Sequence, residues 1–168
     1  MEETGQTVQE TQKVQAEQTG ENGKNVGMPE CETMELIMES RSENEEFARV
    51  VAAVFASRLD PTLEELDDIK TAVSEAVTNA IIHGYEGSAG TITIRCRIEG
   101  ETLTVEVEDT GKGIADVKLA MEPLFTTKAE CDRAGMGFSF MEAFMDQVHV
   151  ESEPGKGTKV VMRKQIGR

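Results

Sequence analysis

The stretch SEAVTNAIIHGYEG, Ser74–Gly87, decides how this chain reads. It continues a helical pattern begun in DPTLEELDDIKTAV, where Leu66, Ile69, Val73, Val77, Ala80 and Ile81 recur on one face. Asp60 before Pro61, or Thr62 with Glu65, supplies the helix start, and Gly84 its stop. At ~100° per residue, Glu75 and Asn79 share a side roughly opposite the Val73–Val77 stripe. One reading leaves them solvated, as Glu64 and Asp68 are on the same side upstream. The other notes the small and apolar neighbours Ala72, Ala76 and Ile82. A carboxylate and an amide oxygen one turn apart can hold a hydrated Mg²⁺ or orient a nucleophile.

On the N-terminal side, TMELIMES has strand character. SENEEFARVVAAVFASRL then places Phe47, Val50, Val51, Val54 and Phe55 at helical spacing, with Ser42 and Glu45 as a capping box. Before that, residues 1–32 hold almost no large apolar side chains and read as a disordered tail, leaving 33–168 as one domain. On the C-terminal side, TITIRCRIEGETLTVEVEDTG reads as a hairpin around Glu99-Gly100-Glu101, with Ile92, Ile94, Cys96, Ile98, Leu103, Val105 and Val107 facing inward. ADVKLAMEP is a short helical piece and GFSFMEAFMDQV a further helix, whose Met136, Phe138, Met141, Phe144 and Met145 read as packing. VHVES and TKVVMRK close the chain as a hairpin. This order predicts an α+β fold: a two-layer α/β sandwich with helices on one face of a mixed, mostly antiparallel sheet.

Composition narrows the function classes. The formal charge of −15 over 168 residues repels nucleic acid and anionic lipid, so neither is expected as a direct partner. Cys31, Cys96 and Cys131 are odd in number and scattered, which fits neither a disulfide framework nor a zinc site and suggests a reducing compartment. No apolar run approaches the ~20 residues of a membrane span. The acidic opening MEETGQTVQE lacks an apolar signal core, so the expected location is cytoplasmic.

Three further segments bear on chemistry. In DTGKGI, Asp109 keeps the inward parity of Leu103, Val105 and Val107, and a carboxylate there needs donors. An adenine exocyclic amino group would serve; so would the N–H groups of an ordinary strand-end turn. Gly111 and Gly113 then permit close backbone approach. GMGF, with Gly135 and Gly137, opens the last helix and offers N–H groups to an anion, a weak signal alone. Neither glycine pair completes G-x-G-x-x-G, and no G-x-x-x-x-G-K-[ST] loop is present. Between the pairs, PLFTTKAECDRAG carries Thr126, Thr127, Lys128 and Arg133, either a loop that meets a phosphate or plain surface charge. His83 and His149 lack metal-ligand spacing and read as structural.

The order of these signals is more specific than any one of them. Glu-x-x-x-Asn on a helix, Asp-x-Gly-x-Gly after a strand, Thr-Thr-Lys in a loop, Gly-x-Gly opening a helix and Gly-Thr in a hairpin resemble the Bergerat-type ATP-binding fold of gyrase, Hsp90, histidine kinases and MutL. Within that superfamily, DPTLEELDDIKTAVSEAVTNAIIHGY, PLFTTK and GMGFSFMEAFMD are similar to the anti-sigma serine kinases of spore-formers, over about Met34 to Lys164.

The resemblance implies ATP and Mg²⁺ as cofactors, with Asn79 on the Mg²⁺, Glu75 as base and Asp109 on the adenine amino group, supported by Thr158. It implies backbone approach at Gly111, Gly113, Gly135 and Gly137, and a lid bearing Thr127, Lys128 and Arg133. It also implies a homodimer that holds a sporulation-type sigma factor and phosphorylates an anti-anti-sigma protein on serine, with Glu45 and Arg49 as partner contacts. Those two, four apart, equally suit an intrahelical ion pair. Two other readings stay open: a nucleotide-gated sigma-binding module without kinase activity, and the catalytic fragment of a sensor histidine kinase.

Overall fold

Strand β1, Cys31–Glu39, opens the fold in a computed structural model that describes residues 31–122 and 136–167. Helix α1 follows at Glu43–Ala56, then a 3₁₀ turn at Ser57–Leu59. Helix α2 spans Leu63–Asn79 and runs on without a break into a π-helical turn, Ala80–Gly84. Next come β2 (Thr91–Glu99), β3 (Thr102–Asp109), the one-turn helix α3 (Val117–Ala120), α4 (Gly137–Phe144), β4 (Gln147–Glu153) and β5 (Gly157–Gln165). Most of the expected tail lies outside the described residues, as do Thr126, Thr127, Lys128, Arg133 and Gly135.

The five strands form one sheet in the order β1-β2-β3-β5-β4. Every pairing among the described residues is antiparallel, so the sandwich is as expected but no parallel pair of a mixed sheet is found there. The inward parity is the one the sequence shows: Ile92, Ile94, Cys96 and Ile98 pack with Leu103, Val105 and Val107 beneath the helices. The outward face is charged, with Arg95 bridging Glu35 and Glu106 at 2.8 and 2.9 Å. Such exposed pairs contribute about 0–1 kcal/mol each, so the inner face carries the stability.

Helix α2 matches its pattern. Thr62 caps it reciprocally with Glu65, Thr62 N–H donating to Glu65 Oε2 at 2.7 Å and Glu65 N–H to Thr62 Oγ1 at 3.2 Å. Helix α1 departs from its pattern twice. Ser42 is already helical (φ −58°, ψ −32°) and makes no side-chain cap, because the chain enters α1 through a tight turn in which Asn44 Nδ2 donates to Glu39 O at 2.9 Å. Its buried face is also different: Ala48, Ala52, Ala53, Phe55 and Ala56 are covered, whereas Phe47, Val50 and Val54 are 55%, 47% and 65% exposed. Small side chains let α1 approach the core closely, and the larger stripe turns outward.

Helix α4 ends at Phe144, and Gln147 and Val148 belong to β4 rather than to the helix. The end is held from β5. Lys164 Nζ donates to Phe144 O at 2.7 Å and to Asp68 Oδ2 at 3.0 Å, and Gln165 N–H donates to Asp146 Oδ2 at 2.7 Å.

Candidate functional site

A cavity of about 480 Å³ opens between the end of α2, the start of α4 and the inner face of β3 and β5. Asn79, His83, Asp109, Gly113, Gly137 and Thr158 all line it. The structure therefore brings together six positions from four separate parts of the chain.

At the sheet end, Asp109 closes β3 directly opposite Thr158 of β5. Its side chain is 5% exposed. Gly111 N–H donates to Asp109 Oδ1 at 2.8 Å, and Thr158 N–H also bonds the carboxylate. Burial pushes this carboxyl above the usual range, against the pull of those two bonds. Desolvating a carboxylate costs several kcal/mol, and a hydrogen bond to a charged group returns roughly 1.5–3. A carboxylate offers about four lone-pair sites, so two backbone bonds leave it room for a further donor. Gly113 sits at φ +71°, and a Cβ there would fall 2.1 Å from Glu153 O, so only glycine lets this turn meet the β4–β5 hairpin.

A clasp joins this turn to the end of α2. Tyr85 is the residue after the π turn, and its hydroxyl donates to Thr91 O and accepts from Thr110 N–H at 2.9 Å. Lys112 N–H donates to Gly84 O at 2.9 Å. Lys112 Nζ lies 2.6 Å from Glu86 Oε1.

At the helix end, Glu75 is buried at 9% exposure and Asn79 is half-buried. The first residue of α4 rests on both. A Cβ added to Gly137 would meet Glu75 Oε2 at 3.2 Å and Asn79 Oδ1 at 3.3 Å, so the two side chains end at one spot under the start of α4. Simple solvation is thereby ruled out for Glu75. His83, read from the sequence as structural, lines the same cavity. The signal was the continued spacing Glu75-x-x-x-Asn79-x-x-x-His83. At ~100° per residue a regular helix drifts about 40° over each such step. The wider i→i+5 turn at Ala80–Gly84 rotates less per residue and returns His83 toward the same row.

Glu45 and Arg49 lie on α1, away from the cavity. Arg49 Nε is 3.6 Å from Glu45 Oε1, so the intrahelical ion pair forms. That Glu45 oxygen is buried and makes no hydrogen bond. His149 is exposed on β4, 3.2 Å from Glu151. Among the described residues no group of three or more His, Cys, Asp or Glu could cage a metal, and no helix is long and apolar enough to cross a membrane.

Residues 38–164 match the family model described as a histidine kinase-like ATPase domain, which puts the chain in a nucleotide-binding class. The chain is 63% identical over 134 residues to the anti-sigma F factor of Thermoanaerobacter sp. (strain X514), covering 80% of this chain and 94% of that one. It is 61% identical over 133 residues to the anti-sigma F factor of Clostridium acetobutylicum, covering 79% and 93%. In fold it resembles a crystal structure of the RsbU and RsbW domains of a Mycobacterium tuberculosis protein, with a TM-score of 0.60 at 17% identity over 82% of this chain and 32% of that one. The chain belongs to the anti-sigma F factor family of histidine kinase-like ATPase domains.

Proposed function

We propose that this protein is an anti-sigma factor and serine kinase that uses Mg-ATP to choose between two partners. It would hold a sporulation-type sigma factor and phosphorylate an anti-anti-sigma protein on serine. The observation that carries the reading is that buried Glu75 meets Asn79 beneath Gly137, and that Asn79 and Gly137 line one end of a cavity whose other end is Asp109 and Thr158.

The donor set suits a purine triphosphate. Asp109 has capacity for one more donor, as an adenine amino group supplies. Asn79 provides one amide oxygen, which suits an Mg²⁺ that takes most of its oxygens from phosphates and water rather than from a protein cage. Bound Mg-ATP supplies the phosphoryl group and the charge neutralisation that in-line transfer needs. Asn79 holds and orients the phosphate end. Glu75, buried beside it, accepts the proton of the incoming serine hydroxyl at its carboxylate. Gly137 lets the backbone of α4 close on both without a side chain between, and Gly111 and Gly113 shape the turn around the base. Thr127, Lys128, Arg133 and Gly135 complete the proposal as the lid over the phosphates. His83, on the same row, joins Asn79 in lining the cavity.

Partner contacts are assigned to Glu45 and Arg49. At ~100° per residue they project on the opposite side of α1 from Phe47, Val50 and Val54. That exposed apolar stripe, beside edge strand β1, suits a second copy of this chain, as expected of a homodimer. Sedimentation should give a dimer for the full chain and a monomer for Val54→Glu; a wild-type monomer refutes the dimer.

The deciding experiment incubates the full chain with γ-labelled ATP, Mg²⁺ and the anti-anti-sigma partner. Label on a partner serine is expected. ATP binding without label leaves a nucleotide-gated sigma binder, and label on a histidine points to a histidine-kinase fragment.

A further inference from the structure

We propose that Ser152 is a positioning residue that fixes the Thr158 hydroxyl as a hydrogen-bond acceptor, and so makes the cavity select a 6-amino purine over a 6-oxo purine. The inference rests on the reading that a purine nucleotide fills this cavity.

A serine hydroxyl has one proton to give and two lone pairs to offer. Ser152 Oγ has three partners. Ile114 N–H donates to it at 2.8 Å, occupying one lone pair. Gly157 O lies at 2.8 Å and can only accept, so it takes the Ser152 proton. Thr158 Oγ1 lies at 3.0 Å and must then be a donor to the second lone pair. The three contacts fill the capacity of Ser152. The reverse orientation, with Ser152 donating to Thr158, would forfeit the bond to the carbonyl of buried Gly157 and so make one hydrogen bond fewer.

The consequence falls on Thr158. Its proton is committed to Ser152, so toward the cavity its oxygen presents lone pairs only. Asp109, paired with it across β3 and β5, also presents lone pairs when ionised. A purine edge entering here meets acceptors side by side. A 6-amino group brings two N–H donors to them; a 6-oxo group brings another acceptor at that position and leaves only its neighbouring N1–H to donate. Sites built to pair a ligand donor reject the analogue that lacks it, because their own buried groups are left unpaired. Ser152 touches no part of the ligand in this scheme and acts through Thr158.

The test compares the affinity of the full chain for ATP and for inosine triphosphate, with Mg²⁺, by titration calorimetry. The wild type should prefer ATP. Ser152→Ala releases the Thr158 proton to turn toward the ligand. The ATP-to-inosine preference should then narrow by roughly threefold to tenfold, the size of one net hydrogen bond. An unchanged preference, including one in which both affinities fall together, overturns the inference, since a purely structural serine would act that way. Thr158→Val gives an independent check should Ser152→Ala fail to fold. It should narrow the preference by weakening ATP, and a wild-type ratio in that variant also overturns the inference. Absence of binding to either triphosphate by the wild type would instead refute the nucleotide reading itself.

Discussion

At the sheet end of the cavity, the polar groups are held by hydrogen bonds from neighbouring turns and strands. Asp109 is held by the Gly111 turn and by β5, Thr158 by Ser152, and the turn itself by Tyr85 at the end of the π turn. At the helix end, Glu75, Asn79 and His83 hang from one continuous helix in a single row, and the neighbouring α4 meets two of them through a glycine with no side chain. The difference separates two tasks. On the proposed reading, the hydrogen-bonded cradle holds a fixed shape that would recognise a base, whereas the side chains on one helix would supply charge and proton chemistry at a phosphate.

Substitutions at the two ends should therefore fail differently. The largest effect is expected at the helix end, on rate and not on binding. Glu75→Gln should cut phosphoryl transfer by ~10²–10⁴-fold, the usual contribution of a general base, while ATP affinity stays near wild type. Wild-type turnover would remove Glu75 from the mechanism. At the sheet end, Asp109→Asn should act on binding. Losing a hydrogen bond to a charged acceptor corresponds to roughly 1.5–3 kcal/mol, or about ten- to a hundredfold in ATP affinity by calorimetry. Equal loss of affinity in the Glu75 and Asp109 variants would erase the division between the ends.

A smaller effect is expected from the clasp. Tyr85→Phe leaves Thr110 N–H and Thr91 O without their hydroxyl partner and should cost about 1–3 kcal/mol of stability, read from denaturant unfolding. An unchanged midpoint would mean that the sheet end does not need the clasp.

The smallest effect is in pH. Burial raises the Asp109 carboxyl above the ordinary range, and the adenine amino group of the proposed complex would need it ionised. ATP affinity should fall as pH drops through that raised value, before exposed carboxylates titrate, and Asp109→Asn should flatten this limb. The empty protein responds with the opposite sign. A raised folded pKa means that the charged carboxylate costs stability, and protonation relieves that cost as pH falls. A pH-independent affinity above the range of ordinary carboxylates would contradict the desolvated picture of Asp109.

How legible each part was depended on whether local pattern and burial agreed. For α2 and the β2–β3 hairpin they did: large apolar residues fell on one face, and that face is the core. The parity that put Asp109 inward was visible for the same reason, since a strand alternates strictly and the register carries the carboxylate with it. For α1 they disagreed. Phe47, Val50 and Val54 formed the stripe that hydrophobicity favours, yet the alanine stripe packs, because the space beside α2 admits small side chains. That Glu75 and Asn79 share a side was readable from spacing, but that they are covered was not. His83 continues the same spacing, yet its return to the row depends on a π turn that no residue type announces.

The local rules of helix, strand and turn were enough to specify the layered α+β architecture and the inward Asp109, while the family was legible only through the resemblance of the motif order to known proteins. Only the tertiary structure decided that α4 closes on Glu75 and Asn79 through Gly137, that Ser152 holds Thr158, and that Tyr85 ties the two ends of the cavity together. Periodicity reports which way a side chain faces, one element at a time. Which proton goes to which acceptor is settled between elements, where each hydroxyl has one proton to give and a limited number of neighbours to receive it.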